Sequence, residues 1–267
     1  MQFNNLKESD LLQLSAFQPE GWRDIIPQLQ FYINSSYCFP IKLSEEKTIV
    51  AIGTAVVHKQ TAWLAHIIVH PDRRKQGLGN AITKYLVDML HAKKDIETIY
   101  LIATELGAPV YEKVGFETES EYICFKESSV DFDQFTLQNI IPYGENYIDQ
   151  IRELDKLTSG EDRFFRFHDF LKDGSVYFDK NKVEGFYLPG FGEGLIVADN
   201  PVAGIELMKL RLKTNDIAIL PGENTKAIKF LFDHDFSEFR RVKRMRLGKK
   251  RNWLPENLFN RMGGQIG

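Results

Sequence analysis

Cysteine is scarce: Cys38 and Cys124 are the only two in 267 residues. Two cysteines cannot supply a disulfide framework, and no Cys/His cluster has the spacing of zinc ligands, so no metal is expected. Charge of one sign is lacking too. Thirty-four basic against 37 acidic residues leave a net charge of −3, which argues against a dedicated nucleic-acid binder. No apolar run reaches the length of a membrane span, and the N-terminus lacks a charged stretch followed by an apolar one. A reducing cytoplasm is the expected address. Core material is ample, at 43% hydrophobic and 27% charged residues, and the length suits two domains of ordinary size.

The first half alternates helix and strand. Asp10–Phe17 and Trp22–Ile33 read as helices. Thr48–Val57 and Thr61–Val69 are β-branched runs joined at His58-Lys59-Gln60, the pattern of a hairpin. A strand is expected at Thr98–Ala103, a short helix at Ala108–Val114 with Pro109 in its first turn, and a strand at Glu121–Lys126. The polar stretch Ser128-Ser129-Val130-Asp131 separates domains at 1–127 and 131–267. The second half repeats part of the first. Thr104-x-x-Gly107-x-x-x-Tyr111-x-x-x-Gly115-Phe116 and Asn224-x-x-Ala227-x-x-x-Leu231-x-x-x-Asp235-Phe236 share one spacing, each after an apolar strand. Leu195-Ile196-Val197 leads into a helix as Ile67-Ile68-Val69 does. A divergent duplication explains both.

Between Val69 and the next helix lies His70-Pro71-Asp72-Arg73-Arg74-Lys75-Gln76-Gly77-Leu78-Gly79-Asn80. Beyond it Ala81, Ile82, Tyr85, Leu86, Met89 and Leu90 form the apolar stripe of a helix with one face on a core. Glycines ahead of such a helix let a ligand approach the backbone, and the free N–H groups of its first turn suit a pyrophosphate.

With these two motifs in this order, residues 1–127 resemble the GNAT superfamily of acyl-CoA-dependent N-acetyltransferases. The residues carrying the resemblance are Ile67-Ile68-Val69, Arg74 to Gly79, and Ala108-Pro109-Val110-Tyr111-Glu112-Lys113-Val114-Gly115-Phe116. Thr158 to Arg163, Arg244 to Gly248 and Arg261 to Gly264 are similar to the smaller module of tandem GNAT proteins. The resemblance implies an α/β (α+β) architecture of two GNAT-like domains, each a mixed, mostly antiparallel twisted sheet flanked by helices. It implies an N-acetyltransferase moving an acetyl group from acetyl-CoA to a primary amine by direct attack in a ternary complex. The alternative is a non-catalytic acyl-CoA-binding sensor or scaffold. Ile67, Ile68 and Val69 would pair with the pantetheine, the strand splaying from its neighbour after Val69, with an N–H near Ile68 polarising the thioester. Arg74, Lys75, Gln76, Gly77, Leu78, Gly79 and Asn80 would hold the pyrophosphate. Thr104 stands where relatives carry a pantetheine-binding Asn, and Tyr111 matches the tyrosine that protonates the leaving thiolate.

A general base is not evident. Strict alternation back from Val69 turns Trp63, Ala65 and Ile67 toward the substrate and His66 toward the core; Glu105 and Glu20 are the other side chains available, and a water chain or a substrate amine of low pKa would remove the need for a side-chain base. The acceptor pocket is expected in Gln18–Pro40 and the second domain, with no acceptor or oligomeric state specified. The second half lacks the machinery: Ala198 to Gly204 carries Asp199 in place of the glycine-rich loop, and Leu231 stands at the tyrosine's position. Arg163–His168 reads as an amphipathic helix start, and Arg240–Arg246 as a strand with a solvated basic face.

Overall fold

The computed structural model describes residues 1–126 and 130–264. Ser128 and Ser129, at the expected domain break, lie outside them. The chain divides into two compact units: unit 1 is 1–117 with 245–249, and unit 2 is 118–244 with the described part of the remaining tail, 250–264. Relative to the expected boundaries, two strand segments change sides.

Unit 1 contains β1 (Gln2–Asn5), α1 (Ile26–Asn34), β2 (Cys38–Glu45), β3 (Thr48–His58), β4 (Thr61–Val69), α2 (Leu78–His91), β5 (Thr98–Ala103) and α3 (Ala108–Glu112). Its strands lie in chain order, antiparallel except for the parallel pair β4–β5. The α2 stripe Leu78, Ile82, Leu86 and Leu90 closes over Ile41, Leu43, Leu64, Ile99 and Leu101, and Met245 completes the same core. Met245–Lys249 is tied in by its backbone. Lys249 donates to the Glu97 carbonyl at 3.0 Å and accepts from the Thr98 hydroxyl at 2.8 Å. Gly248 has φ +93°, and a Cβ there would lie 2.4 Å from the Glu97 oxygen.

The sequence missed β1 and β2. The two helices expected between them also differ: Glu8–Gln13 and Ser15–Phe17 are 3-10 turns, and only Ile26–Asn34 is α-helix, leaving 18–25 as a loop. Pro27 sits in the first turn of α1, where its missing N–H costs no hydrogen bond.

Unit 2 holds β6 (Glu117–Lys126, from Thr118), β7 (Ile140–Pro142), α4 (Ile148–Ser159), β8 (Ser175–Asp179), β9 (Lys182–Leu188), β10 (Leu195–Ala198), α5 (Pro201–Leu212), β11 (Ile217–Pro221), α6 (Thr225–Asp233), β12 (Ser237–Gly248, to Arg244) and β13 (Leu258–Asn260). β6 belongs here because Tyr122–Lys126 pairs antiparallel with β11. A five-stranded sheet runs β13–β10–β9–β8–β7, and Ala203, Leu207, Leu220, Phe230 and Phe259 share one core. Arg163–His168 forms a 3-10 turn at Phe164–Arg166 rather than a helix start. Arg163 is buried in a two-pronged pair with Asp155, the shortest contact 2.8 Å. The basic run of β12 is solvated only in part: Arg240 and Arg241 are exposed, while Arg244 is buried. Within unit 2 Arg244 pairs with Glu119 at 2.9 Å, and Arg241 with Glu238 and Glu121; within unit 1 Arg246 pairs with Glu117.

The duplicated spacing has one local geometry. Phe116 donates to the Tyr111 carbonyl at 3.1 Å and Phe236 to the Leu231 carbonyl at 3.0 Å. Gly115 and Asp235, one residue earlier, both have positive φ, +102° and +62°.

Candidate active site

β4 is the element on which the site is built, and it is irregular. Ile52 pairs with Ile68 but Thr54 with Ala65, so His66 and Ile67 together oppose Gly53. This is a β-bulge, with His66 in the left-handed region at φ +47°. Its effect is to change which face each side chain takes. Ala62 and Leu64 belong to the core under α2, and beyond the bulge Ile67 and Val69 pack against that same core. Strict alternation is therefore wrong for Ile67 and His66. Ile67 faces α2, and His66 leaves that core to meet Tyr32 and Trp22. Its Nδ1 lies 3.0 Å from the Tyr32 hydroxyl. Burial without a charged partner lowers its pKa to about 4, so the ring is neutral at pH 7.

The strand parts from its neighbour earlier than expected. Pairing with β5 ends at Leu64–Leu101, while pairing with β3 runs on to the 3.0 Å bond from His70 N–H to the Val50 carbonyl. That bond fixes the alternation. Ile68 falls in the pair that exchanges hydrogen bonds with Ile52, so Ile67 and Val69 turn their backbone groups to the open edge. The N–H at that edge belongs to Ile67 or Val69, not Ile68.

After His70 the chain makes a 3-10 turn, Pro71–Arg73, capped by the His70 ring accepting from the Asp72 N–H at 3.3 Å. Arg73 pairs with Glu45 and anchors the loop; Arg74 and Lys75 are exposed. Lys75 and Gly77 adopt positive φ, +62° and +79°. Turns of this kind direct successive N–H groups into one concavity. Gly77 caps α2 with no side-chain hydrogen bond, leaving the N–H groups of Leu78, Gly79 and Asn80 without intrahelical partners. A Cβ on Gly79 would lie 3.7 Å from both Val69 and Val110, so the strand edge, the loop and α3 converge there.

α3 carries Tyr111. Thr104 starts its turn: the Gly107 N–H donates to the Thr104 hydroxyl at 3.2 Å, and the Ala108 N–H to its carbonyl at 2.9 Å. Thr104 thus has a capping role, with its own O–H left to donate. The Tyr111 ring lies 3.1 Å from where a Gly107 Cβ would stand and meets Phe116 edge-on. Burial pushes its pKa up to about 12, so it is protonated at neutral pH. Glu105 and Glu20 are exposed.

The corresponding places in unit 2 are filled by the chain itself. β10 is paired on both sides, with β9 and β13. The Asn200 side chain caps α5 by accepting from Ala203 N–H at 3.0 Å, and Asp199 pairs with Lys182. A Cβ on Gly204 would lie 2.2 Å from the Phe259 ring, and Leu231 is buried.

Among the described residues no His/Cys/Asp/Glu group could hold a metal, and no helix is long and apolar enough to cross a membrane.

Residues 11–130 match the family model described as an acetyltransferase (GNAT) domain. No curated protein matches the chain. Among solved structures, a Pyrococcus horikoshii protein described as an acetyltransferase aligns with a TM-score of 0.80 at 18% identity, covering 100% of this chain and 95% of that one. A GCN5-related N-acetyltransferase from Sphaerobacter thermophilus aligns at 0.63 and 12% identity, covering 95% and 98%. A tandem GNAT protein from the clavulanic acid biosynthesis pathway aligns at 0.56 and 13% identity, covering 94% and 99%. At such identities the likeness is one of fold, and it extends over both units.

Proposed function

We propose that unit 1, whose residues 11–130 match the acetyltransferase (GNAT) domain model, transfers an acetyl group from acetyl-CoA to a primary amine, by direct attack in a ternary complex. The observation that carries the reading is the convergence at Gly79 of the open β4 edge, the uncapped start of α2 and the helix bearing Tyr111. Acetyl-CoA fits these features: a pantetheine adds as a strand to an unpaired edge, and a pyrophosphate suits the free N–H groups of a helix start. It supplies an activated acetyl thioester.

Ile67 and Val69 offer the pairing groups, and an N–H at this edge would stabilise negative charge developing on the thioester oxygen. Lys75 to Asn80 hold the pyrophosphate, with Arg74 and Lys75 adding charge from solvent. In the transfer the nitrogen–carbon bond forms, the carbon–sulfur bond breaks and its electron pair leaves on sulfur. His66 takes the proton from nitrogen, and the Tyr111 hydroxyl donates to sulfur. A phenol near 12 facing a thiol of ordinary acidity near 8.5 is the weaker acid by about 3.5 units, so Tyr111 acts first as a hydrogen-bond donor to the developing charge. Unit 2 takes no acetyl-CoA in this reading, because β13, Asn200 and Phe259 occupy the equivalent positions. The test is amine-dependent release of free thiol from acetyl-CoA. Thiol release that no amine stimulates would overturn the reading.

A further inference from the structure

The rings around His66 come from three separate stretches of unit 1. Trp22 belongs to the 18–25 loop, Phe31 and Tyr32 to α1, and His66 to the β4 bulge. Trp22 stands 5.9 Å from the His66 ring at 78°, and Tyr32 lies 5.5 Å from it at 65°. Phe31 meets Tyr32 at 6.1 Å. Tyr32 is fully buried, yet Trp22 is 41% exposed, so an indole face stands in solvent beside the imidazole.

That indole is held in place. The Gln18 amide donates to the carbonyls of Pro19, Trp22 and Arg23 at 3.2, 3.0 and 3.1 Å, and its oxygen accepts from the Ile25 N–H at 3.1 Å. One side chain thus ties five residues of the loop together. Gly21, at φ +75° with nothing near its missing Cβ, permits the turn that brings Trp22 round. Asp24 spends its carboxylate on the Ile26 N–H at 3.0 Å. Glu20 and Arg23 are exposed loop charges of opposite sign. Among the described residues the contacts seen at the His66 ring are those to Tyr32 and Trp22, neither of which is a carboxylate.

We propose that the acceptor is an arylamine, an amine borne directly on an aromatic ring, with its ring against Trp22 and its nitrogen at His66. This rests on the acetyl-CoA reading of unit 1 and adds the class of acceptor. Flat apolar rings pack edge-to-face or offset against exposed aromatic side chains. An alkylammonium ion would be drawn to the indole face by cation–π attraction, but it would arrive protonated and unable to attack, with no carboxylate among the described contacts of the His66 ring to offset its desolvation. An arylamine nitrogen shares its lone pair with the ring and is neutral at pH 7, so it can attack as it arrives. Its proton becomes acidic only as the new nitrogen–carbon bond forms, and His66 accepts it then. The low basicity that burial gives His66 suits that late transfer and not the deprotonation of an alkylammonium ion.

The test uses the full chain with p-toluidine, benzylamine and spermidine as probes. Thiol release should show kcat/KM for p-toluidine at least tenfold above that for benzylamine and for spermidine. Independently of turnover, calorimetric titration of p-toluidine in the presence of CoA should show saturable binding. Trp22→Leu should weaken that binding about tenfold and Trp22→Phe should largely restore it, with acetyl-CoA affinity unchanged in both. Preference for spermidine or benzylamine, or unchanged p-toluidine binding in Trp22→Leu, would overturn the arylamine assignment and leave the acetyl-CoA reading standing. Failure of acetyl-CoA to bind the wild type would overturn both.

Discussion

The Nδ1 atom of His66 lies 3.0 Å from the phenolic oxygen of Tyr32, a contact made possible by the bulge that takes His66 off the α2 side of β4. In the tautomer whose Nδ1–H donates to that oxygen, the Nε2 lone pair is left to accept a proton. His66→Gln should therefore lower kcat by about a hundredfold, in the range of general-base loss, while acetyl-CoA affinity stays within twofold. Unchanged turnover would remove His66 as the base.

The same residue carries a pH signature. Its folded pKa, about 4, lies below the ordinary 6.5, so between these values the unfolded chain binds more protons than the native one. Stability should then rise with pH from 4 to 6.5 and level off above. The amplitude is at most about 3 kcal/mol, reduced where water reaches the ring. Urea unfolding across this range should show a shallower rise in His66→Gln than in the wild type. Identical slopes would contradict the burial of a neutral imidazole.

Tyr111→Phe removes a hydroxyl and keeps the ring beside Gly107 and Phe116. Turnover should fall by about a hundredfold with acetyl-CoA affinity unchanged, as read by single-turnover thiol release. An unaltered rate would leave Tyr111 as an aromatic packing residue only.

In unit 2 the tight place is Gly204 against Phe259, where a Cβ would stand 2.2 Å from the ring. Gly204→Ala should destabilise by about 2 kcal/mol through overpacking. Gly79→Ala, whose Cβ meets Val69 and Val110 at an ordinary 3.7 Å, should leave the melting temperature nearly unchanged. Equal losses of stability in the two variants would contradict the contrast drawn between the helix starts.

The sequence disclosed the loop and helix at Gly77 because glycine spacing and apolar periodicity are local signals. It disclosed the paired strand–helix units for the same reason, and their shared Phe116 and Phe236 hydrogen bonds bear out the matched spacing. The bulge left no such mark. It sits in the β-branched run Ala65-His66-Ile67-Ile68-Val69 without a glycine, and a one-residue slip reverses the facing of every side chain on one side of it. Simple alternation consequently assigns His66 to the core. Across the 3-10 turns at Glu8–Gln13 and Ser15–Phe17, Leu11, Leu14 and Phe17 fall at near-helical intervals, so their period resembles an α-helix. Arg241, Arg244 and Arg246 find Glu121, Glu119 and Glu117 more than a hundred residues earlier in the chain, a pairing that linear charge patterning cannot display.

The most direct measurement is calorimetric titration of acetyl-CoA into the full-length protein and into an Arg74→Glu/Lys75→Glu variant. Both side chains are exposed, so the variant should fold and melt like the wild type. The prediction is one saturable site per chain, weakened at least tenfold by the charge reversal. No binding, two equal sites, or unaltered affinity in the variant would contradict a cofactor held by the loop at the start of α2.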